Sequence, residues 1–98
     1  MNFLLAAAVS ANLIVIDIDN FTADRGISTL ILKITNNNSE GINSLFIDCT
    51  FMDENERAID IGKSHVTNIR AGETVYDKAS IGTTEGVQKA LCRVKSIF

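Results

Sequence analysis

Residues 45–51 read LFIDCTF, and strongly apolar side chains alternate with a second, more polar set along this stretch. Successive side chains of a β-strand point to opposite faces of a sheet, so a period of two predicts a strand with one buried face. The predicted inner face carries Leu45, Ile47, Cys49 and Phe51, and the predicted outer face carries Phe46, Asp48, Thr50 and then Met52.

The same alternation recurs on both sides of this stretch. It predicts further strands at residues 13–18, 29–35, 58–62, 65–69, 74–80 and 88–98. Their inner positions would be Ile14, Ile16, Ile18, Leu30, Leu32, Ile34, Ala90, Cys92, Val94 and Phe98. Segments rich in Asn, Asp and Gly, which favour turns, separate the strands. About seven short strands without an amphipathic helix are typical of an all-β sandwich or barrel, and two packed antiparallel sheets would bury alternate residues.

The composition fits one folded domain and argues against several kinds of partner. The chain has 98 residues, 46% of them hydrophobic and 21% charged, which is ordinary globular usage and not that of a disordered chain. A net charge of −3 argues against nucleic acid and anionic membrane surfaces as partners, because both attract basic proteins. No apolar run reaches the roughly 18 to 20 residues of a membrane-spanning helix, so we expect no membrane span.

The first eleven residues, MNFLLAAAVSA, allow two interpretations. An apolar run followed by the small-residue ending at 9–11 is typical of the end of a secretory signal peptide, with the domain then covering residues 12–98. Alternatively, residues 1–11 form an N-terminal extension that packs on the domain as a first strand or helical turn. The signal-peptide interpretation predicts an extracytoplasmic protein, whether periplasmic, secreted or surface-attached.

The two cysteines, Cys49 and Cys92, both lie on predicted inner faces. In an exported protein they would form a disulfide that closes a loop of about 40 residues and stabilises the fold by about 4 kcal/mol. In a reducing cytosol the same residues would be buried free thiols. With one histidine they are too few for a closed structural zinc site, and no Cys-x-x-Cys motif indicates redox catalysis.

The sequence predicts no catalytic residue, cofactor or metal ion. The acidic segment that begins at Asp53 has Ala58 and Ser64 where an EF-hand loop needs glycine and glutamate. His65 follows Ser64 directly, and neighbouring side chains of a strand point to opposite faces, so the two cannot act together. We therefore expect a protein that is not an enzyme.

Three large apolar residues fall on predicted outer faces: Ile31, Phe46 and Met52. Together with Leu13 and Val15 they would form an exposed apolar patch of the kind that marks partner surfaces. The alternative is that loops or the N-terminal segment cover them.

Three segments carry a resemblance to a known family: ITNNNS at 34–39, IDCTFMDEN at 47–55 and NIRAGET at 68–74. This series of an Asn-rich turn, a strand closing on an aromatic residue and Asp53, and a later Gly-Glu corner resembles the small bacterial immunoglobulin-like domains of the FxLYD type. The resemblance implies an exported or surface-attached immunoglobulin-like β-sandwich that works by binding, and it carries over no catalytic residue.

The sequence therefore predicts a non-catalytic, extracytoplasmic protein-interaction module whose partner is an unidentified protein. Exposed edge strands would also allow the chain to form a homo-oligomer by β-augmentation. Two alternatives stay open. One is a small secreted enzyme inhibitor that presents the loop at 53–57 or 82–86, and the other is a structural or assembly subunit.

Overall fold

The structure, a computed structural model, describes residues 4–6 and 13–98, and for residues 4–6 it describes the backbone alone. These residues form strands and no helix. The strands are β1 (Leu4–Ala6), β2 (Ile14–Asp24), β3 (Ile27–Asn36), β4 (Ile42–Met52), β5 (Ala58–Ile69), β6 (Thr74–Ile81) and β7 (Lys89–Ile97). The prediction of an all-β chain is confirmed.

The strands form two sheets with a common core. The four-stranded sheet has the order β1-β7-β4-β5, and the three-stranded sheet has the order β2-β3-β6. Every pairing is antiparallel except that of β1 with β7, which is parallel. The predicted inner residues of β3 and β4 are fully buried, namely Leu30, Leu32, Ile34, Leu45, Ile47, Cys49 and Phe51. Within residues 4–6 and 13–98 there is no helix long and apolar enough to cross a membrane.

The predicted number of strands needs a correction. Residues 58–62 and 65–69, expected as two strands, belong to the single strand β5. Its pairing with β4 continues without interruption from Gly62 through Lys63 to Ser64. The seven predicted segments thus correspond to six strands. The three-residue β1 lies within the segment 1–11, and the proposed cleavage motif at 9–11 lies outside the described residues.

A β-bulge in β7 reverses which side chains face the core. Phe46 lies opposite Ser96 and Ile47 lies opposite Val94, so the register passes over Lys95. One extra residue moves every later side chain to the other face of the sheet. Ile97 consequently packs against the core, whereas Phe98 is 70% exposed. The prediction that Phe98 lies on the inner face was wrong for this reason.

The two cysteines form a disulfide. Cys49 of β4 lies directly opposite Cys92 of β7, with the two Cα atoms 4.0 Å apart, and both residues are fully buried. The predicted pairing is confirmed. The bond joins neighbouring strands of one sheet, whereas the disulfide of antibody domains joins two sheets.

Close backbone packing joins the two sheets on the side of β5 and β6. A Cβ atom placed on Gly62 would lie 2.9 Å from the carbonyl oxygen of Ser80, 3.1 Å from its nitrogen, and 3.0 Å from Cε1 of Phe51. Two residues further along β5, the hydroxyl of the buried Ser64 donates a hydrogen bond to Asp77 of β6. The predicted strand 58–62 ends at Gly62. In the structure this glycine instead lies where the two sheets approach each other closely.

Asn36, at the end of β3, provides a second link between the sheets. Its side chain is fully buried, and its Nδ2 donates hydrogen bonds to the carbonyl oxygens of Glu40, Ile69 and Arg70. Its Oδ1 accepts from the backbone N–H of Asn38 at 3.0 Å. The Asn-rich turn is thus fastened to the end of β5 by a buried amide whose polar atoms are satisfied.

Loss of the disulfide should lower the free energy of unfolding by about 4 kcal/mol, because the bond closes a 43-residue separation in the unfolded chain. We expect this from urea unfolding of the oxidised chain compared with the Cys49→Ala/Cys92→Ala double variant. Reductant should leave the double variant unchanged. A difference below about 1 kcal/mol would contradict the stabilising role.

Substitution of Gly62→Ala should destabilise the fold by about 1–3 kcal/mol, since the added methyl group meets the backbone of Ser80, which cannot move independently of its sheet. Gly82→Ala is the matched control, because nothing lies within 4 Å of its Cβ position. We expect the control to stay within about 0.5 kcal/mol of the unchanged chain in thermal unfolding. Equal effects of the two substitutions would refute the close approach.

Candidate functional site

Three aromatic rings meet on the outer face of the four-stranded sheet. Phe46 of β4 lies opposite His65 of β5, and the two rings stack with centroids 4.1 Å apart and planes 8° apart. The ring of Phe98 approaches Phe46 edge-on, with centroids 5.9 Å apart and an angle of 89°. Stacked and edge-to-face arrangements are the favourable geometries for aromatic pairs. The rings therefore form an ordered cluster on a sheet face that points to solvent.

The backbone holds Phe98 in this position. Its N–H donates to the carbonyl oxygen of Ser44 at 2.8 Å, and its own carbonyl oxygen accepts from the N–H groups of Asn43 at 2.9 Å and Ser44 at 3.2 Å. These bonds continue the β4–β7 pairing beyond the bulge at Lys95. The bulge sets the direction of the Phe98 side chain, and the hydrogen bonds fix its distance from Phe46.

A groove of about 290 Å³ lies beside the rings. It is lined chiefly by Phe46, Asp48, Lys63, Lys95, Ser96 and Phe98, and we call it the Phe46 groove. The two phenylalanine rings form its apolar wall, and the two lysines stand at its border. Most of Lys63 is exposed, and its Nζ lies 3.7 Å from Oδ1 of Asp48. At this distance and exposure the ion pair contributes little to stability, so Lys63 can interact with another anion.

Cations outnumber carboxylates around the groove. Asp48 lies between Lys63 on β5 and Arg93 on β7 in the register of the sheet, and Lys95 projects from the bulge nearby. Three cationic side chains and one acidic side chain give this region a side-chain charge of +2, whereas the side chains of the whole chain sum to −3. Lys89, further along β7, is paired with Glu56 at 3.4 Å. The groove is therefore a basic region on an acidic protein.

The structure separates the three residues predicted as an interaction surface. Phe46 and Met52 share the outer face of β4, but they lie six residues apart, which is about 20 Å along a strand. Met52 is half-buried at the bulged end of β4, opposite Ala58 and Lys89. Ile31 belongs to β3 and lies on the outer face of the other sheet. Of the three, only Phe46 lies in the groove.

Sequence reasoning missed His65 and Phe98 as members of the site. The predicted strand at 65–69 could have indicated His65, because an outward side chain on the strand next to β4 can reach Phe46. No local feature of residues 88–98 indicated the bulge that turns Phe98 outward. The two lysines of the groove could be placed only once the register of β4 with β5 and β7 was known.

The groove and its surroundings combine aromatic and cationic side chains. The aromatic rings offer apolar surface, and Lys63, Arg93 and Lys95 offer charge for pairing with anions. The described residues contain no group of three or more His, Cys, Asp or Glu side chains that could hold a metal ion. The hydroxyl of Ser64, which donates a hydrogen bond to Asp77, faces the interior between the sheets, away from His65.

No protein-family model, curated protein or solved structure matches this chain. The resemblance to the FxLYD type therefore stays a prediction.

Proposed function

We propose that the protein is a non-catalytic, extracytoplasmic interaction module with an immunoglobulin-like fold, and that it binds a protein partner through the Phe46 groove. The observation that carries this proposal is the ordered aromatic cluster of Phe46, His65 and Phe98 on an outer sheet face. Aromatic residues are enriched at the centres of protein interfaces, where they contribute a large share of the binding free energy.

The order of the strands supports the immunoglobulin-like part of the proposal. The strand order β2-β3-β6 in one sheet is that of strands A-B-E in an immunoglobulin domain. The order β7-β4-β5 in the other sheet is that of strands F-C-C′. β1 lies beside β7 at the position of strand G, but it runs parallel to β7, whereas strand G of an immunoglobulin domain is antiparallel to strand F. The position of the disulfide differs, because it joins the equivalents of C and F within one sheet.

One observation supports a location outside the cytoplasm. The disulfide between Cys49 and Cys92 is of the kind that persists in oxidising compartments and is rare in the cytosol. The signal-peptide interpretation of residues 1–11 stays a prediction, because the structure places Leu4–Ala6 in the fold as β1.

One observation favours the assembly-subunit alternative. β1 pairs with Lys89, Ala90 and Leu91, whereas β7 continues to Ile97. Among the described residues no strand pairs with this edge of β7 beyond Leu91, which would allow strand addition between copies. However, Lys95 and the bulge interrupt this edge, and both features discourage edge-to-edge pairing. The face around Phe46 is therefore the better supported contact surface.

Substitution of Phe46→Lys should abolish partner binding while the domain stays folded. Phe46 is half-buried and packs on two other rings, so an interface centred on it should lose affinity by about tenfold or more. The measurement is affinity capture from an extract of the source organism, followed by titration of the captured protein. The matched control is Tyr76→Lys, since Tyr76 is an aromatic residue, 58% exposed, on the other sheet.

Circular dichroism and thermal unfolding of each variant show whether the fold is retained. Unchanged capture by a folded Phe46→Lys chain would disprove the proposed surface. If Phe46→Lys unfolds the domain, Phe46 belongs to the core and the proposal fails for that reason.

A further inference from the structure

We infer that the Phe46 groove recognises an acidic segment of its partner that inserts one aromatic or aliphatic side chain between acidic neighbours. This inference rests on the proposed function and adds the chemistry of the partner. It depends on two independent features of the groove, its charge and its shape.

The charge of the groove selects for anions. Lys63 and Lys95 line the groove with one acidic side chain, Asp48, and Arg93 lies opposite Asp48 on β7; the side chain of Asp48 is 17% exposed, whereas that of Lys63 is 68% exposed. An approaching segment therefore meets the ammonium groups before it meets Asp48. Charge complementarity of this kind speeds association and excludes basic partners.

The shape of the groove selects for one apolar side chain. Its volume of about 290 Å³ is at the small end of the range for binding sites, enough for one large side chain and part of its backbone. Phe98, at 70% exposed, supplies a ring face that such a side chain would cover. Lys63 and Lys95 line the groove from the strands on opposite sides of β4, so acidic residues before and after the inserted side chain would reach them.

A test uses the full chain labelled with ¹⁵N and a blocked pentapeptide that has a central phenylalanine with two glutamates on each side. We expect the amide resonances of residues near 46–48, 63–65 and 95–98 to shift on titration. The affinity should fall about threefold or more when salt is raised from about 50 to 300 mM, because the contacts between exposed charges are screened. The same peptide with lysines in place of the glutamates should bind at least about tenfold more weakly.

Two charge-reversal variants locate the effect. Lys95→Glu should weaken binding of the acidic pentapeptide by about threefold or more. Lys78→Glu makes the same change in net charge on the outer side of the three-stranded sheet, where Lys78 is exposed opposite Ile31, and it should leave the affinity unchanged. Equal effects of both variants would show attraction to net charge alone and would overturn the inference.

Other outcomes also decide the question. Equal binding of the acidic and basic peptides, or no binding of either, would overturn the inference about partner chemistry. Tighter binding of a thymidine oligonucleotide at the same resonances would overturn it in favour of nucleic acid. Self-association that Lys95→Glu abolishes would make a second copy the occupant. The proposed function would survive the first result if Phe46→Lys still loses the captured protein, so the two failures are distinguishable.

Discussion

The pairing of β4 on both of its edges fixes the larger sheet and both of its faces. On the inner face, this register places Cys49 between Gly62 of β5 and Cys92 of β7. That single row contains the disulfide and a glycine at which the two sheets approach closely. On the outer face, the same register brings Phe46 and Asp48 of β4 into the groove together with residues of β5 and β7. Stability and the candidate site therefore depend on one alignment of three strands.

The bulge at Lys95 brings an aromatic ring and a lysine to the Phe46 groove at one end of this sheet. A regular β7 would direct Ser96 and Phe98 into the interior and Ile97 outward. With the extra residue, Ile97 takes the inner position and Phe98 joins Phe46 outside. The same residue adds an ammonium group at the border of the groove. One irregularity thus supplies both an aromatic wall and a charge, and bulges often re-aim side chains next to functional sites.

Much of the fold follows from the alternation of side chains, because burial of one sheet face imposes a period of two on the sequence. That period predicted the core residues of β3 and β4 and placed both cysteines inside. It did not give the order of the strands, so Ile31 and Phe46 were grouped although they lie on different sheets. It failed at Phe98, since a bulge depends on pairing with β4 and leaves no local pattern. The prediction also divided β5 at Gly62, because glycine occurs both in turns and at positions where two sheets approach closely.

The most direct test of this account is a measurement of nuclear Overhauser effects in the full chain, because they report which rings are neighbours in solution. The account predicts contacts between ring protons of Phe98 and Phe46, and between ring protons of Phe46 and His65. It also predicts contacts of the Ile97 methyl groups with Leu45 on the inner face. Contacts of the Phe98 ring with Leu45, and none with Phe46, would contradict the bulged register and remove the basis of the site.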